Sequence, residues 1–349
     1  MEENNWLCKK CGYNPIDRSE SKYSILCTSC REEHKKYPIS KAVIIGITIV
    51  LAIVLVLSFT ILPQSIKEYR AHNESYDELW EGNYQVLMDV KDDLNLNVVE
   101  AAEIYASAMN KGQYDFAIEV FNKYLANKKV SDPTYNIVMS YDDDMKTYCD
   151  TVDNIMSIQN LVSEDTSMEE YYALVKNEIN NMIESNNYNT GVCYYYLGLL
   201  TEDQQEAKGY YEKAVENDEK FQDSRVELAT IYRREGDIST AEDMYSKALS
   251  IDDSNAGAFR GLAIIKLLSN DTEEAVKLAE EAYKCNRSAS YVYETLIIAL
   301  AKNGQVKEAE KYIKEYESLG GVIEEDTQEL LDDKMSLEDY YINDKGEDM

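Results

Sequence analysis

Cys8, Cys11, Cys27 and Cys30 are the residues best suited to chemistry. They form two Cys-x-x-Cys turns, Cys8-Lys-Lys-Cys11 and Cys27-Thr-Ser-Cys30, separated by fifteen residues. Two turns at this spacing can bring four thiolates into a tetrahedron, which suits Zn²⁺. Gly12 directly follows the first pair and allows the backbone to turn tightly. A stretch of about forty residues buries little core, so a metal would supply the stability that apolar packing cannot. A closed set of four cysteine ligands leaves no open coordination position, so zinc held there is structural, not catalytic. A redox dithiol pair, or a site that no longer binds metal, are the alternatives. His34 lies nearby but is not needed as a ligand.

Residues Trp6 to Arg31 resemble the short zinc ribbons found at the N-termini of many bacterial membrane proteins. The first turn has the CxxCG form of that family; the second has Arg31 where glycine is usual. The other cysteines, Cys149, Cys193 and Cys285, are odd in number and widely spaced, which reads as buried thiols and not as a disulfide framework. The chain has two histidines, His34 and His72, and neither sits in a plausible triad. No P-loop, GxSxG, HExxH or dinucleotide fingerprint occurs. Asp142-Asp143-Asp144 lacks the alternating ligands and glycine of an EF-hand and reads as a solvated charge run. No catalytic residue is expected, and the chain is not read as an enzyme.

The elements around these cysteines divide at one apolar run. Ala42 to Leu62 carries no charge and no polar face. As a helix it would be roughly 32 Å long, enough to cross the hydrocarbon of a bilayer. It starts about forty residues in, has no A-x-A-like exit and is followed by Pro63, so it reads as an uncleaved signal-anchor. Arg31, Lys35, Lys36 and Lys41 precede it; Lys67 and Arg70 follow closely. This bias places the N-terminus in the cytoplasm and the rest outside the membrane.

Charge follows the same division. Residues 1–41 carry eight Lys/Arg and six Asp/Glu, a net of +2, whereas the chain beyond the span carries 27 basic and 60 acidic residues, a net of −33. That larger part would repel nucleic acid and anionic lipid. Gly (14) and Pro (4) are scarce, which favours long helices over a turn-rich β protein, and Tyr (29) far exceeds Phe (5).

Ala207, Ala241, Ala275 and Ala309 recur every 34 residues. Each opens an apolar stripe at i, i+3, i+4 and i+7, such as Ala207, Tyr210, Tyr211, Ala214, so the four side chains share one helical face. Five residues earlier stand Gly236, Asn270 and Gly304, residue types that tolerate the left-handed end of a preceding helix. One helix pair cannot bury its stripe alone; stacked pairs can. A similar stripe and turn occupy Ile104, Tyr105, Gly112, Ala117, Val120, Phe121 and Tyr124, with Pro133 after them. In 132–187 Ala173 keeps the register, but the apolar face shifts to Tyr172, Val175, Ile179, Met182 and Ile183.

This pattern resembles the tetratricopeptide repeat family, through its 34-residue period, the LAxxY at Leu228–Tyr232 and the AxxxYxxA at Ala241–Ala248. The resemblance implies an all-α solenoid of antiparallel helix pairs. The expected organisation is a zinc ribbon with a basic flank (1–40), a transmembrane helix (41–62), a membrane-proximal helical segment (63–97), a first repeat (98–131), a divergent helical region (132–187), four consecutive repeats (188–323), and a capping helix with an acidic tail (324–349). It further implies a groove, formed by the first helix of each pair, that binds a protein or peptide without chemistry. Arg233 and Arg260 fall on those helices and could meet a partner's carboxylate; plain solvated bases or local ion pairs are the alternative. The acidic groove suits a basic or Tyr-compatible partner. The expected function is a membrane-anchored interaction scaffold. The second reading is a single-span signalling or regulatory protein whose outer repeats report to the inner ribbon.

Overall fold

The computed structural model describes residues 6–19, 22, 24–36, 75–77, 79–80, 96–158 and 166–343. The chain divides into two compact units, Met1–Ala71 and His72–Met349. Among the described residues no helix is long and apolar enough to cross a membrane; the expected span, Ala42–Leu62, lies outside them, as does most of the expected membrane-proximal segment.

In the first unit, an isolated antiparallel bridge joins Leu7 to Pro15, and helix α1 (Thr28–Lys36) carries the chain away from the second cysteine turn. Among the described residues, every regular element of the second unit is a helix. It opens with α2 (Val98–Lys111) and α3 (Tyr114–Val120), followed by α4 (Asp132–Met139), α5 (Asp142–Ser157) and α6 (Met168–Ser185). Three helix pairs come next: α7 (Thr190–Leu199) with α8 (Gln204–Asn217), α9 (Gln222–Arg234) with α10 (Ile238–Ile251), and α11 (Ala256–Leu268) with α12 (Thr272–Cys285). A fourth pair, α13 (Ser290–Lys302) and α14 (Val306–Ser318), is closed by the short helices α15 (Glu325–Leu331) and α16 (Leu337–Tyr341).

The 34-residue period is a period of caps as much as of core. Asp203, Asp237 and Asp271 precede the second helix of successive pairs, and each accepts from the amide three residues on, at 2.8, 3.2 and 3.4 Å. Such a cap stabilises a helix by about 1 kcal/mol. Gly236, Asn270 and Gly304 end the preceding helices with φ of 82°, 60° and 78°. Ala207, Ala241, Ala275 and Ala309 are all buried, as are Tyr211 and Tyr245 one turn further. The Tyr245 hydroxyl lies 2.8 Å from Thr230 Oγ1, so the ring is enclosed without orphaning its polar end. Room for it comes from Gly261, where a Cβ would stand 2.2 Å from the Tyr245 ring.

The structure departs from the sequence pattern in two places. Helix α3 widens into a π turn over Phe121–Leu125, which rotates the stripe and leaves Phe121 37% exposed. In α6 both Ala173 and Tyr172 face solvent, while Val175, Ile179 and Met182 are buried with Tyr171 and Leu174 packed beside them; the 34-residue register does not extend here. The C-terminal segment forms the short helices α15 and α16. Tyr340 and Tyr341 are buried in the same core as Ile297, Leu300 and Leu330.

Candidate functional site

Two places gather functional side chains, one in each unit. In the first, backbone hydrogen bonds shape both cysteine turns. Gly12 N–H donates to Cys8 O at 2.9 Å with Gly12 at φ 76°, and Arg31 N–H donates to Cys27 O at 2.9 Å. The strand-like entry is tied by Cys8 N–H to Asn14 O and by Ile16 N–H to Trp6 O. Lys9 N–H to Ile25 O then brings the second turn against the first. The four Sγ atoms of Cys8, Cys11, Cys27 and Cys30 all lie within 4.8 Å of one another, a set compatible with one tetrahedral ion.

The thiols share their space unevenly. Desolvation raises Cys8, but backbone hydrogen bonds from Cys11, Cys27 and Lys10 bring it down to about 6. Burial, with the other three thiols around it, pushes Cys30 up to about 12. Four thiolates this close can coexist only around a positive charge. Arg31, the departure from the ribbon pattern, is in the first turn of a helix and not a tight turn residue. Its guanidinium bonds the Asp17 carbonyl and lies 3.2 Å from the Asp17 carboxylate, tying the loop between the cysteine pairs to α1.

In the second unit, the first helices of four successive pairs, α7, α9, α11 and α13, line one cavity of about 460 Å³. The turn between α2 and α3 closes it. Gly112 sits so near the α8–α9 turn that a Cβ would lie 2.0 Å from the Lys220 carbonyl oxygen. Tyr114 donates to Asp218 at 2.8 Å, Gln113 donates to Asp252 at 2.5 Å and to Ser254 at 2.8 Å, and Lys111 pairs with Asp253 at 2.6 Å. The first repeat thus crosses to turns more than a hundred residues later and makes a trough into a chamber.

The wall combines carboxylates with rings. Asp223 lines the cavity and keeps an exposed face there. Burial, then Asp252, raises its carboxyl to about 6, with Asp115 adding to the rise and a hydrogen bond from Asn255 opposing it. Tyr291 is 39% exposed, and that exposed surface borders the cavity. Burial raises the hydroxyls of Tyr195 and Tyr291, and Asp223 and Glu227 raise both further; Arg260 opposes the rise at Tyr291.

The two bases singled out in the sequence part company. Arg260 lines the cavity, donating from Nε to Thr295 Oγ1 at 3.1 Å with its guanidinium 5.2 Å from the Tyr291 ring centroid. Arg233, expected to face a partner, is instead 0% exposed. Its guanidinium bonds the carbonyl of Tyr341 in α16 and lies 5.7 Å from that ring. One residue further along, a rotation of about 100° on the helix, Arg234 is the base of α9 that lines the cavity. Asp223, Glu227 and Tyr291 were not singled out in the sequence, although Asp223, Gly257 and Tyr291 stand 34 residues apart and all line the chamber.

Residues 223–255, which span α9 and α10, match the family model described as tetratricopeptide repeat. A solved structure described as "Crystal structure of MamA" is similar at 15% identity over 48% of this chain and 97% of its own, with a TM-score of 0.34. At that score the solenoid assignment rests on the helix pairs, their caps and the matched repeat. None of the curated proteins matches this chain.

Proposed function

We propose that the second unit is a protein-interaction module whose chamber, lined by α7, α9, α11 and α13, holds a segment of a partner protein. The observation that carries this reading is the convergence of four successive first helices, with Leu199 and Tyr291 exposing apolar surface, on one half-open cavity. Isolated apolar side chains on a surface need no explanation, but ones that share a concave chamber mark a place for a ligand. The reading is binding without chemistry, as a tetratricopeptide-like array implies. In intact cells, proteins crosslinked to the wild-type chain should be lost with Leu199→Asp and kept with Met139→Asp, a change at an exposed position outside the chamber. Equal capture by both variants would reject the chamber as the binding place.

Ala42–Leu62 serves in this reading as a membrane anchor, with the basic flank inside and the repeats outside. Protease added to intact cells then degrades the repeats; their survival until lysis would reverse the orientation. Cys8, Cys11, Cys27 and Cys30 hold a structural Zn²⁺ in the cytoplasmic segment. The ion supplies a cross-link there, and the chain's own amides around Cys8 favour the thiolate it requires.

A further inference from the structure

The chamber wall is more specific than an apolar trough. The lining carries four carboxylates, Asp115, Asp223, Glu227 and Asp252, and two guanidiniums, Arg234 and Arg260, a net of two negative charges. Asp252 is already held by Gln113 at 2.5 Å, by the Ser254 amide at 3.2 Å and by Asn255 at 3.2 Å. Asp223 has only a long approach from Asn255, at 3.5 Å. Between Asp223 and Tyr291 the repeat register places Gly257, so no side chain fills the middle of the row.

From this juxtaposition we infer that the chamber receives one basic side chain, Lys or Arg, from the partner protein, its charged end between Asp223 and Glu227 and its stem along Tyr195, Tyr291 and Leu199. The inference rests on the chamber being the partner site. A guanidinium or ammonium placed there gains carboxylate hydrogen bonds and the faces of tyrosine rings together, while the aliphatic stem covers Leu199 and Val226. A bound cation also answers the crowding that raises the Asp223 carboxyl, since it stabilises the ionised form that the empty wall disfavours.

The test uses the full chain in detergent and a library of nonapeptides randomised at every position. Peptides retained by the protein are sequenced, and the frequency of Lys and Arg is compared with that of the input. The expected result is enrichment of a basic residue at one position. The Asp223→Asn/Glu227→Gln variant should erase it, and a retained peptide should bind that variant about tenfold more weakly, the loss expected for a charge-assisted pair. Asp143→Asn/Glu273→Gln, on exposed surface, should leave the enrichment unchanged. Replacing the basic residue by citrulline, which keeps shape and removes charge, should weaken binding to the wild type and have little effect on the Asp223→Asn/Glu227→Gln variant. Retained peptides without basic preference that are lost with Leu199→Asp would overturn the inference while leaving the chamber as a binding site, and a basic preference that survives the chamber variant would overturn the inference. Retention of no peptide would overturn both.

Discussion

The guanidinium of Arg233 donates to the main-chain carbonyl of Tyr341, 108 residues later, with both side chains buried. A helix of five residues, α16, is thereby held against α9. Replacing Arg233 with Ala removes a charged donor from a buried acceptor and leaves a cavity. The expected cost is about 2–4 kcal/mol, seen as a lower midpoint in urea. Tyr341→Ala, which keeps the carbonyl but loses the ring, should cost a similar amount through lost packing. A midpoint unchanged in both variants would mean that α16 contributes no stability.

Gly112 and Gly236 both have left-handed φ, 72° and 82°, but only Gly112 is pressed against another backbone. Alanine at Gly236 meets open space and should cost only the conformational penalty, about 1 kcal/mol. Alanine at Gly112 adds a collision with the Lys220 carbonyl and should cost at least twice as much, roughly 2–4 kcal/mol. It should also separate the α2–α3 turn from the α8–α9 turn. Faster amide exchange at Gln113 and Lys220 in Gly112→Ala, and not in Gly236→Ala, is the observation to seek.

Asp223 gives the array a pH signature. Its carboxyl is raised to about 6 in the fold, so between about pH 4 and 6 the folded chain holds a proton that the unfolded chain has released. This contribution to stability is present at the acidic end of that window and is lost as pH rises through 6. Asp223→Asn removes it without changing shape. The variant should melt roughly 1–3 °C higher than the wild type at pH 7.5, with the difference shrinking towards pH 4.5. Equal melting at both pH values would show that the carboxylate is well solvated.

Zinc content is the measure of the cysteine cluster. The full chain purified without chelator should carry about one zinc, as a closed four-thiolate site implies. Cys8→Ser or Cys27→Ser should lose it. Arg31→Ala should retain it with weaker affinity, because Arg31 fixes the Asp17 loop and contributes no ligand. Zinc at the wild-type level in the cysteine variants would reject the site.

Much of this fold is legible in the sequence because repeated units repeat their boundary chemistry. Small residues at the helix crossings and Gly or Asn at the left-handed ends recur with the 34-residue period, and each position has one physical job. Legibility fails where the job is done across long separations. Nothing local to Arg233 indicates that a carbonyl 108 residues away needs a donor, so a buried base reads as a groove base. Nothing local to Phe121 announces a π turn, and a one-residue rotation suffices to turn a stripe outwards. The chamber residues Asp223 and Tyr291 carry a partial signal, the same position in their repeats on the side away from the alanine stripe. Only the closure by Gly112–Phe116 turns that position into a cavity wall.

The most direct test of the chamber as the partner site is a photo-crosslinking amino acid placed at single positions of the full chain in intact cells. At Leu199 and at Tyr291, on the chamber wall, irradiation should give the same discrete crosslinked species, and a further Asp223→Asn/Glu227→Gln change should reduce its yield. At Tyr135, exposed on α4 and outside the chamber, that species should be missing. Crosslinks of equal yield from Tyr135, or none from Leu199 and Tyr291, would contradict partner binding in the chamber.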